Sequence, residues 1–230
     1  MAGFGAFGKM PTLGDFFRFD LPQDFVVAWD RWLQRGLVQV RADLGARWAE
    51  CYTSAPIWRF TLTAGLAGSF GAQGIVMPSI DRVGRQFPLT LAAPIPAGRS
   101  AVLGHLGATR TFEALETIAL DALGDVMTLP RLTERVRGVR LPVLPGLPEC
   151  AVSPGLLAIS VSDGTDVSHT IAAHEAGHRF KAPSIWSAAL SGADRVMLAE
   201  GLPGPRRMRG LFDLGADVWR DIPASERILS

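Results

Sequence analysis

Apolar side chains recur at three- and four-residue steps along residues 23–48, which is the spacing of one buried helix face. The positions that carry this spacing are Phe25, Trp29, Trp32, Leu33, Leu37, Val40 and Leu44. Gly36 and Gly45 interrupt the pattern, and Gly45 is a candidate break because glycine disfavours a helix interior. The sequence therefore predicts a long helix here, with Trp29 and Trp32 on its inner face.

Three short apolar runs follow the predicted helix and are separated by stretches rich in Gly or Pro. Residues 57–62 alternate between apolar and polar side chains, and residues 74–77 and 87–93 form two further runs. Runs of this length and composition are typical of strands. Because they follow one another with only turns between them, we expect an antiparallel meander.

Helical spacing and strand-like runs both continue along the rest of the chain. The expected elements are helices at 111–127, 129–136, 184–190 and 204–214, and strands at 156–161, 167–173 and 196–199, with the residues at 162–166 forming a turn. Strand runs on either side of a helical block predict a mixed α/β sandwich around one sheet.

Two segments do not fit a regular element. Five phenylalanines among the first twenty residues predict an extended segment that packs onto the body of the protein. Residues 137–150 hold three prolines and two glycines, which predicts a loop and a candidate subdomain junction near 137–152.

Charge and hydropathy narrow the functional classes. The formal net charge of the 230-residue chain is +1, which predicts no general attraction to nucleic acid or to an anionic membrane. No run approaches the ~20 apolar residues that cross a bilayer, and the N-terminus lacks the pattern of a secretory signal. We therefore expect a cytoplasmic protein. Cys51 and Cys150 form no CxxC motif.

His174, Glu175 and His178 fit the motif HExxH. On a helix, this spacing places two imidazoles on one face to bind zinc, and the glutamate acts as a general base. Glu200 is a candidate third ligand. The motif makes a zinc-dependent hydrolase the alternative function for this chain.

The residues around the motif argue against that function. Residues 167–173 alternate as in a strand, and Gly177 costs a helix about 1 kcal/mol relative to Ala. We therefore expect the two histidines at a strand end or in a loop, where side chains four residues apart do not share a face.

Residues 77–91, MPSIDRVGRQFPLTL, combine strand-like runs with a tight turn. Asp81, Arg82 and Arg85 lie in that turn. Arginine is enriched in interface hot spots, so the group is a candidate docking patch. An ion pair between Asp81 and Arg85 that only holds the turn together is the other interpretation, and the sequence leaves both open.

Four blocks together resemble the TagF (ImpM) family of type VI secretion-associated proteins. The blocks are GFGAFGKMPTLGDFF, LPQDFVVAWDRWLQ, SAPIWRFTL and MPSIDRVGRQFPLTL, and they cover residues 3–91 almost without a gap. Weaker similarity follows in PSIWSAAL and LAEGLPGPRRMRGLF, whereas residues 97–181 match only in overall layout.

The resemblance implies a single α/β domain over residues 1–230, an αβα sandwich around one mixed, largely antiparallel sheet. It implies a bacterial cytoplasmic protein with no known catalytic activity. Members repress type VI secretion post-translationally by associating with a forkhead-associated-domain scaffold protein of the apparatus. We expect no cofactor, no metal, no small-molecule substrate, no nucleic acid and no membrane insertion.

If the chain is a regulatory interaction module, its motif blocks supply the expected site. Lys9, Asp15, Asp81, Arg82 and Arg85 are the expected exposed polar members of an interaction surface. The expected supporting core consists of Trp29, Trp32, Trp58 and Phe87.

Overall fold

A computed structural model of the protein describes residues 3–142, 146–153, 155–161 and 164–220. Its main feature is a seven-stranded sheet in the order β2-β1-β5-β4-β3-β8-β9. The strands are β1 (Gly5–Gly8), β2 (Phe17–Phe19), β3 (Trp58–Leu62), β4 (Gly71–Met77), β5 (Leu89–Ile95), β8 (Pro183–Ala188) and β9 (Arg195–Glu200). Every strand pairing among the described residues is antiparallel. A separate two-stranded sheet joins β6 (Cys150–Ser153) to β7 (Leu156–Ile159).

Helices cover both faces of the large sheet. They are α1 (Gln23–Leu44), α2 (Trp48–Ser54), α3 (Ala101–Leu106), α4 (Thr109–Asp121), α5 (Leu129–Gly138), α6 (Val167–Arg179) and α7 (Pro205–Phe212). Helices α1, α2 and α7 contribute to one core cluster, and α4 and α5 contribute to a second cluster on the opposite face. A third, smaller cluster joins α3 and α6 to β8.

The alternation of side chains along β3 shows how the sheet separates these layers. Phe60 and Leu62 belong to the cluster with α1, whereas Arg59 and Thr61, which alternate with them, contact α4 and α3. Arg59 forms a bidentate ion pair with Glu116 of α4, with distances of 2.6 and 2.8 Å. The expected α/β fold, an αβα sandwich on a largely antiparallel sheet, is confirmed.

Helix α1 is the long helix that the periodicity predicts. It ends at Gly45, whose φ of 53° lies in the left-handed region that favours glycine. The chain then makes a short helical turn and continues as α2. The predicted range 23–48 therefore runs past a break at Gly45, and that break is confirmed.

The expected strand meander and the packing of the N-terminal segment are also confirmed. Strands β3, β4 and β5 pair in sequence, and β4 extends further towards its N-terminal end than the expected run at 74–77. The phenylalanine-rich segment forms β1 and β2 and pairs with β5. Gly8 has φ of 134°, and a Cβ there would lie 2.1 Å from the carbonyl oxygen of Pro88, the residue just before β5. Only glycine therefore fits at the end of β1, where the two backbones come close together.

Two predictions of secondary structure are wrong. Residues 184–190 are predicted as a helix, but Pro183–Ala188 is strand β8, paired on both sides and largely buried. Residues 167–173 are predicted as a strand, but Val167–Arg179 is helix α6. The Asp166 carboxylate accepts hydrogen bonds from the backbone N–H groups of Ser168 and His169, which caps the start of α6.

The remaining predictions concern smaller segments. Helices α4, α5 and α7 and strands β7 and β9 lie where helices and strands are expected, whereas α3 and β6 are not predicted. Residues 143–145 of the expected junction and 162–163 of the expected turn lie outside the described residues. A single domain with a junction near 137–152 stays a prediction.

Within the described ranges, no helix combines the length and apolar character that crossing a bilayer requires.

Candidate interaction surface

Asp81 is the centre of a buried ion cluster in the turn between β4 and β5. Its Oδ2 accepts a hydrogen bond of 2.9 Å from Lys9 Nζ and one of 2.6 Å from Arg85 Nε. Its Oδ1 accepts hydrogen bonds from the backbone N–H groups of Val83 and Arg85, at 3.1 and 2.8 Å. Both carboxylate oxygens are thus engaged within the protein.

The turn is closed by its own backbone as well. Gly84 N–H donates to the Asp81 carbonyl, and Asp81 N–H donates to the Arg85 carbonyl. Gly84 has φ of 82°, which a residue with a side chain adopts only with strain. Ile80 and Gln86 pair as an isolated β-bridge below the turn. Residues 80–86 therefore form a rigid protrusion from the sheet.

The N-terminal segment fastens this turn from the other side. Lys9 follows directly after β1 and reaches Asp81, while Arg85 Nη2 donates to the Gly14 carbonyl oxygen at 2.6 Å. Arg82 N–H donates to the Leu13 carbonyl at 2.8 Å. The loop at residues 10–16 and the turn at 80–86 are therefore one joined structure.

The electrostatics of Asp81 follow from this arrangement. Burial by itself would raise the pKa of the carboxyl, but hydrogen bonds from Lys9, from Arg85 and from the turn's backbone outweigh it and hold the pKa far below its usual value. Asp81 is therefore a carboxylate at neutral pH. An ionised and fully bonded carboxylate suits a structural role.

The expected exposure of the polar site residues is only partly right. Lys9 and Asp81 retain 5% and 1% of their accessible surface, so the expectation that they are exposed is wrong. Arg82, Arg85 and Asp15 are exposed, and Asp15 Oδ1 accepts a hydrogen bond from the Phe16 N–H. The ion pair between Asp81 and Arg85, one of the two interpretations left open, is present. Docking through Arg82 and Arg85 stays a prediction.

Apolar side chains that sequence reasoning did not single out lie at the surface of the same two loops. Phe16, Ile80 and Val83 keep 45%, 39% and 69% of their surface exposed. We call Phe16, Ile80, Arg82, Val83 and Arg85 together the paired-loop surface. The sequence signal for two of them is an apolar residue close to a turn glycine, since Val83 precedes Gly84 and Phe16 is two residues after Gly14.

Aromatic packing supports the paired-loop surface from below. Phe16 packs edge-on against Phe87 at 4.7 Å between ring centres, and Phe87 packs in the same way against Phe7. The Lys9 ammonium lies 4.8 Å from the centre of the Phe16 ring. Phe16 is therefore held in place although nearly half of it is exposed.

Helix α2 holds the base of the turn. The Tyr52 hydroxyl donates to the Ser79 carbonyl oxygen at 2.8 Å, and Trp48 Nε1 donates to Gln86 Oε1 at 2.6 Å. Burial raises the pKa of Tyr52 well above its ordinary value, so this hydroxyl keeps its proton. The turn is thus anchored to a helix as well as to the sheet.

The burial expected of the four core residues is found for three of them, and their role in supporting the site stays a prediction. Trp29, Trp58 and Phe87 are buried, whereas Trp32 is half-buried and packs against the same cluster. Each indole has a partner: Trp29 Nε1 donates to Thr90 Oγ1, Trp32 Nε1 to the Pro203 carbonyl and Trp58 Nε1 to the Leu211 carbonyl.

A second polar cluster, which the sequence did not reveal, lies between β3, β8 and α3. His105 Nδ1 lies 3.1 Å from Thr61 Oγ1, and His105 Nε2 lies 2.8 Å from Ser187 Oγ. Burial, aided by the nearby charge of Arg59, lowers the pKa of His105 to about 3. The imidazole is neutral at neutral pH, with both ring nitrogens bonded, which indicates a structural histidine.

The HExxH residues lie on helix α6, so the expectation of a strand end or loop for them is wrong. His174 Nδ1 lies 3.3 Å from Cys150 Sγ. Both carboxylate oxygens of Glu200, the candidate third ligand, accept hydrogen bonds from the backbone at Lys181 and Ala182. Among the residues that the structure describes, no group of three or more His, Cys, Asp or Glu side chains is arranged to hold a metal ion.

Comparison with known proteins identifies the class. The family described as "TagF N-terminal domain, Type VI secretion system-associated" matches residues 5–139, well past the blocks that end at residue 91. The chain is thus a type VI secretion-associated protein. It belongs to the TagF family, as its sequence motifs indicate.

The fold is also found in a solved structure. The crystal structure of PA0076 from Pseudomonas aeruginosa PAO1 superposes with a TM-score of 0.75 at 31% sequence identity. The match covers 91% of this chain and 93% of that one, so the similarity extends through the C-terminal half. No protein with a curated description is significantly similar to this chain.

Proposed function

We propose that this chain represses a bacterial type VI secretion system post-translationally by binding a forkhead-associated-domain scaffold protein of the apparatus. It acts in the cytoplasm as a binding protein and catalyses no reaction. Membership of a family associated with type VI secretion supports the assignment of this chain to that secretion system. The regulatory role and the partner are those that the family resemblance implies.

The paired-loop surface is the observation that carries this proposal. It presents three exposed apolar side chains, Phe16, Ile80 and Val83, beside the guanidinium groups of Arg82 and Arg85. Aromatic residues and arginines supply much of the energy in protein interfaces. A surface that is already ordered before binding loses less conformational entropy when the partner docks.

The rigidity of this surface comes from the buried groups beneath it. Lys9 and Asp81 do not face a partner; they hold the two loops in register through the contacts at Arg85 and Gly14. The motif MPSIDRVGRQFPLTL then has two separate roles. Its buried aspartate shapes the turn, and its exposed Ile80, Arg82 and Val83 contact the partner.

The hydrogen bonding of Asp81 and His105 supports a binding function rather than a catalytic one. Asp81 accepts four hydrogen bonds, and His105 has a partner at each ring nitrogen. A general acid or base needs a free position towards its substrate, with a pKa near the working pH. Neither group has these properties.

A direct binding measurement tests the partner. The full-length chain and the forkhead-associated-domain protein of the same secretion system are purified separately and mixed in a pull-down with each as bait in turn. We expect reciprocal capture at stoichiometric levels, and reduced secretion in cells that overproduce the chain. Absence of capture in both directions would contradict the partner assignment.

A further inference from the structure

Cys150 and His174 form a thiol–imidazole pair outside the paired-loop surface. Cys150 Sγ lies 3.3 Å from His174 Nδ1. Cys150 begins β6 and His174 lies within α6, so this contact links the small two-stranded sheet to the helix. The proposed partner binding makes no use of either residue.

Cys150 and His174 are each partly exposed to solvent. Cys150 is a free thiol of intermediate burial. A surface depression nearby is lined by residues of β6, β7 and α6, including Val152, Leu157, Glu175 and His178, although not by Cys150 or His174 themselves. Val152 is two residues from the thiol, and Glu175 is the neighbour of His174.

The second nitrogen of His174 is a further observation. His174 Nε2 is buried and has no hydrogen-bond partner among the described residues. Buried polar atoms without a partner are rare, and where they occur in a native structure a redox or catalytic role is one of their explanations. In the tautomer that carries its hydrogen on Nε2, His174 Nδ1 has a lone pair that faces the thiol.

From this geometry we propose that Cys150 is a site of thiol–disulfide exchange with small-molecule disulfides, with His174 as the base. The thiol proton passes to His174 Nδ1 as Cys150 Sγ attacks one sulfur of the disulfide. A new S–S bond forms and the original S–S bond breaks. The departing thiolate takes the proton back, so the products are a mixed disulfide on Cys150 and one small thiol.

Cys51 provides an internal comparison for this reaction. It lies on the buried face of α2, and burial raises the pKa of its thiol. Both properties slow its reaction with a disulfide. The chain therefore contains one thiol of each kind, and a reaction that consumes a single thiol in the native protein reports on Cys150.

The test uses 5,5′-dithiobis(2-nitrobenzoate), itself a disulfide, with the full chain at pH 7. We expect one equivalent of nitrothiobenzoate to be released rapidly and a second only on unfolding in denaturant. Cys150→Ser removes the rapid release, and Cys51→Ala retains it. His174→Gln slows the rapid release by about tenfold or more because the base is lost, whereas His178→Gln, one turn further along α6, does not.

A pH series separates activation from access. At pH 10 hydroxide in solution removes thiol protons without help from the imidazole, so the rates of the wild type and of His174→Gln converge to within about twofold. Equal rates for the two proteins at pH 7 would overturn the proposal. So would a rate that stays equally slow in His174→Gln at pH 10, because the imidazole would then control only access to the sulfur.

Discussion

Lys9 and Asp81 lie 72 positions apart in the chain, and their side chains meet in a buried hydrogen bond of 2.9 Å. The bond joins the end of the first strand to the turn of the motif that identifies the family. Because Arg85 contacts the same carboxylate and also the Gly14 carbonyl, one aspartate fixes the relative positions of two loops. The shape of the paired-loop surface depends on this relationship.

Asp81→Asn tests that dependence. The substitution leaves the Lys9 ammonium buried without a carboxylate, and we expect the melting temperature to fall by on the order of 10 °C. Lys9→Met should be milder, because Asp81 keeps Arg85 and two backbone N–H groups. Thermal unfolding followed by circular dichroism measures all variants.

The double variant Lys9→Met/Asp81→Asn is the control. It removes both charges, so it should be more stable than Asp81→Asn alone. If the double variant is instead the less stable of the two, the loss in Asp81→Asn does not come from the unpaired charge of Lys9.

The stability of the protein should decrease as the pH falls below about 6.5 because of His105. Its pKa is about 3 in the folded protein and 6.5 in the unfolded chain, so the unfolded state binds the additional proton in this interval. The stabilisation is complete above pH 6.5 and is lost progressively towards pH 3. Urea unfolding at a series of pH values should show a slope of up to about 1.4 kcal/mol per pH unit from this residue. In His105→Gln that part of the slope should disappear, and an unchanged slope would show that other groups cause it.

Trp29 should be among the most costly core positions to truncate. Its ring stacks on Phe60 at 4.7 Å between ring centres, and its indole N–H donates to Thr90 Oγ1. Trp29→Ala should lower the free energy of unfolding by about 3–5 kcal/mol. Trp32→Ala, at a half-buried position on the same helix, is the matched comparison and should cost less. Equal losses would contradict the assignment of Trp29 to the centre of the core.

Two glycine substitutions should act in opposite directions. A Cβ at Gly74 would lie 2.1 Å from the Leu91 carbonyl oxygen on the paired strand β5, so Gly74→Ala should be destabilising by about 1–3 kcal/mol or more. A Cβ at Gly177, within α6, would meet no neighbouring atom within 4 Å, so Gly177→Ala should stabilise the protein by about 0.5–1 kcal/mol. Chemical denaturation of both variants checks the contrast, and stabilisation by Gly74→Ala would mean that β4 and β5 are not so closely paired.

The sequence predicts elements well where local periodicity and tertiary burial agree. Helix α1 has one apolar face towards the sheet, so its spacing is visible. Strand β8 is not recognisable, because it lies between β3 and β9 and is buried on both faces, which removes the alternation. In α6 the alternating residues suggest a strand, but Asp166 caps a helix start and the side of Ala173 and Ala176 packs on α3.

The candidate site, like the fold, could be predicted only in part from the sequence. The motif residues place Asp81, Arg82 and Arg85 in one turn, and the structure keeps them there. What separates Asp81 from its neighbours is burial against Lys9, and a contact between residues so distant in the chain depends on how β1 pairs with β5. Neither pairing nor burial is encoded within the turn itself, so the exposed members could not be distinguished from the buried one.

Binding titration of two valine variants tests the central proposal most directly. Val83 in the paired-loop surface is 69% exposed, and Val38 on the solvent side of α1 is 73% exposed, so Val83→Asp and Val38→Asp make the same chemical change at similar exposure. By isothermal titration against the forkhead-associated-domain protein, we expect Val83→Asp to weaken binding at least about tenfold, equivalent to about 1.4 kcal/mol. Val38→Asp should bind like the wild type. Wild-type affinity in Val83→Asp, or an equal loss in both variants, would contradict the assignment of the partner to the paired-loop surface.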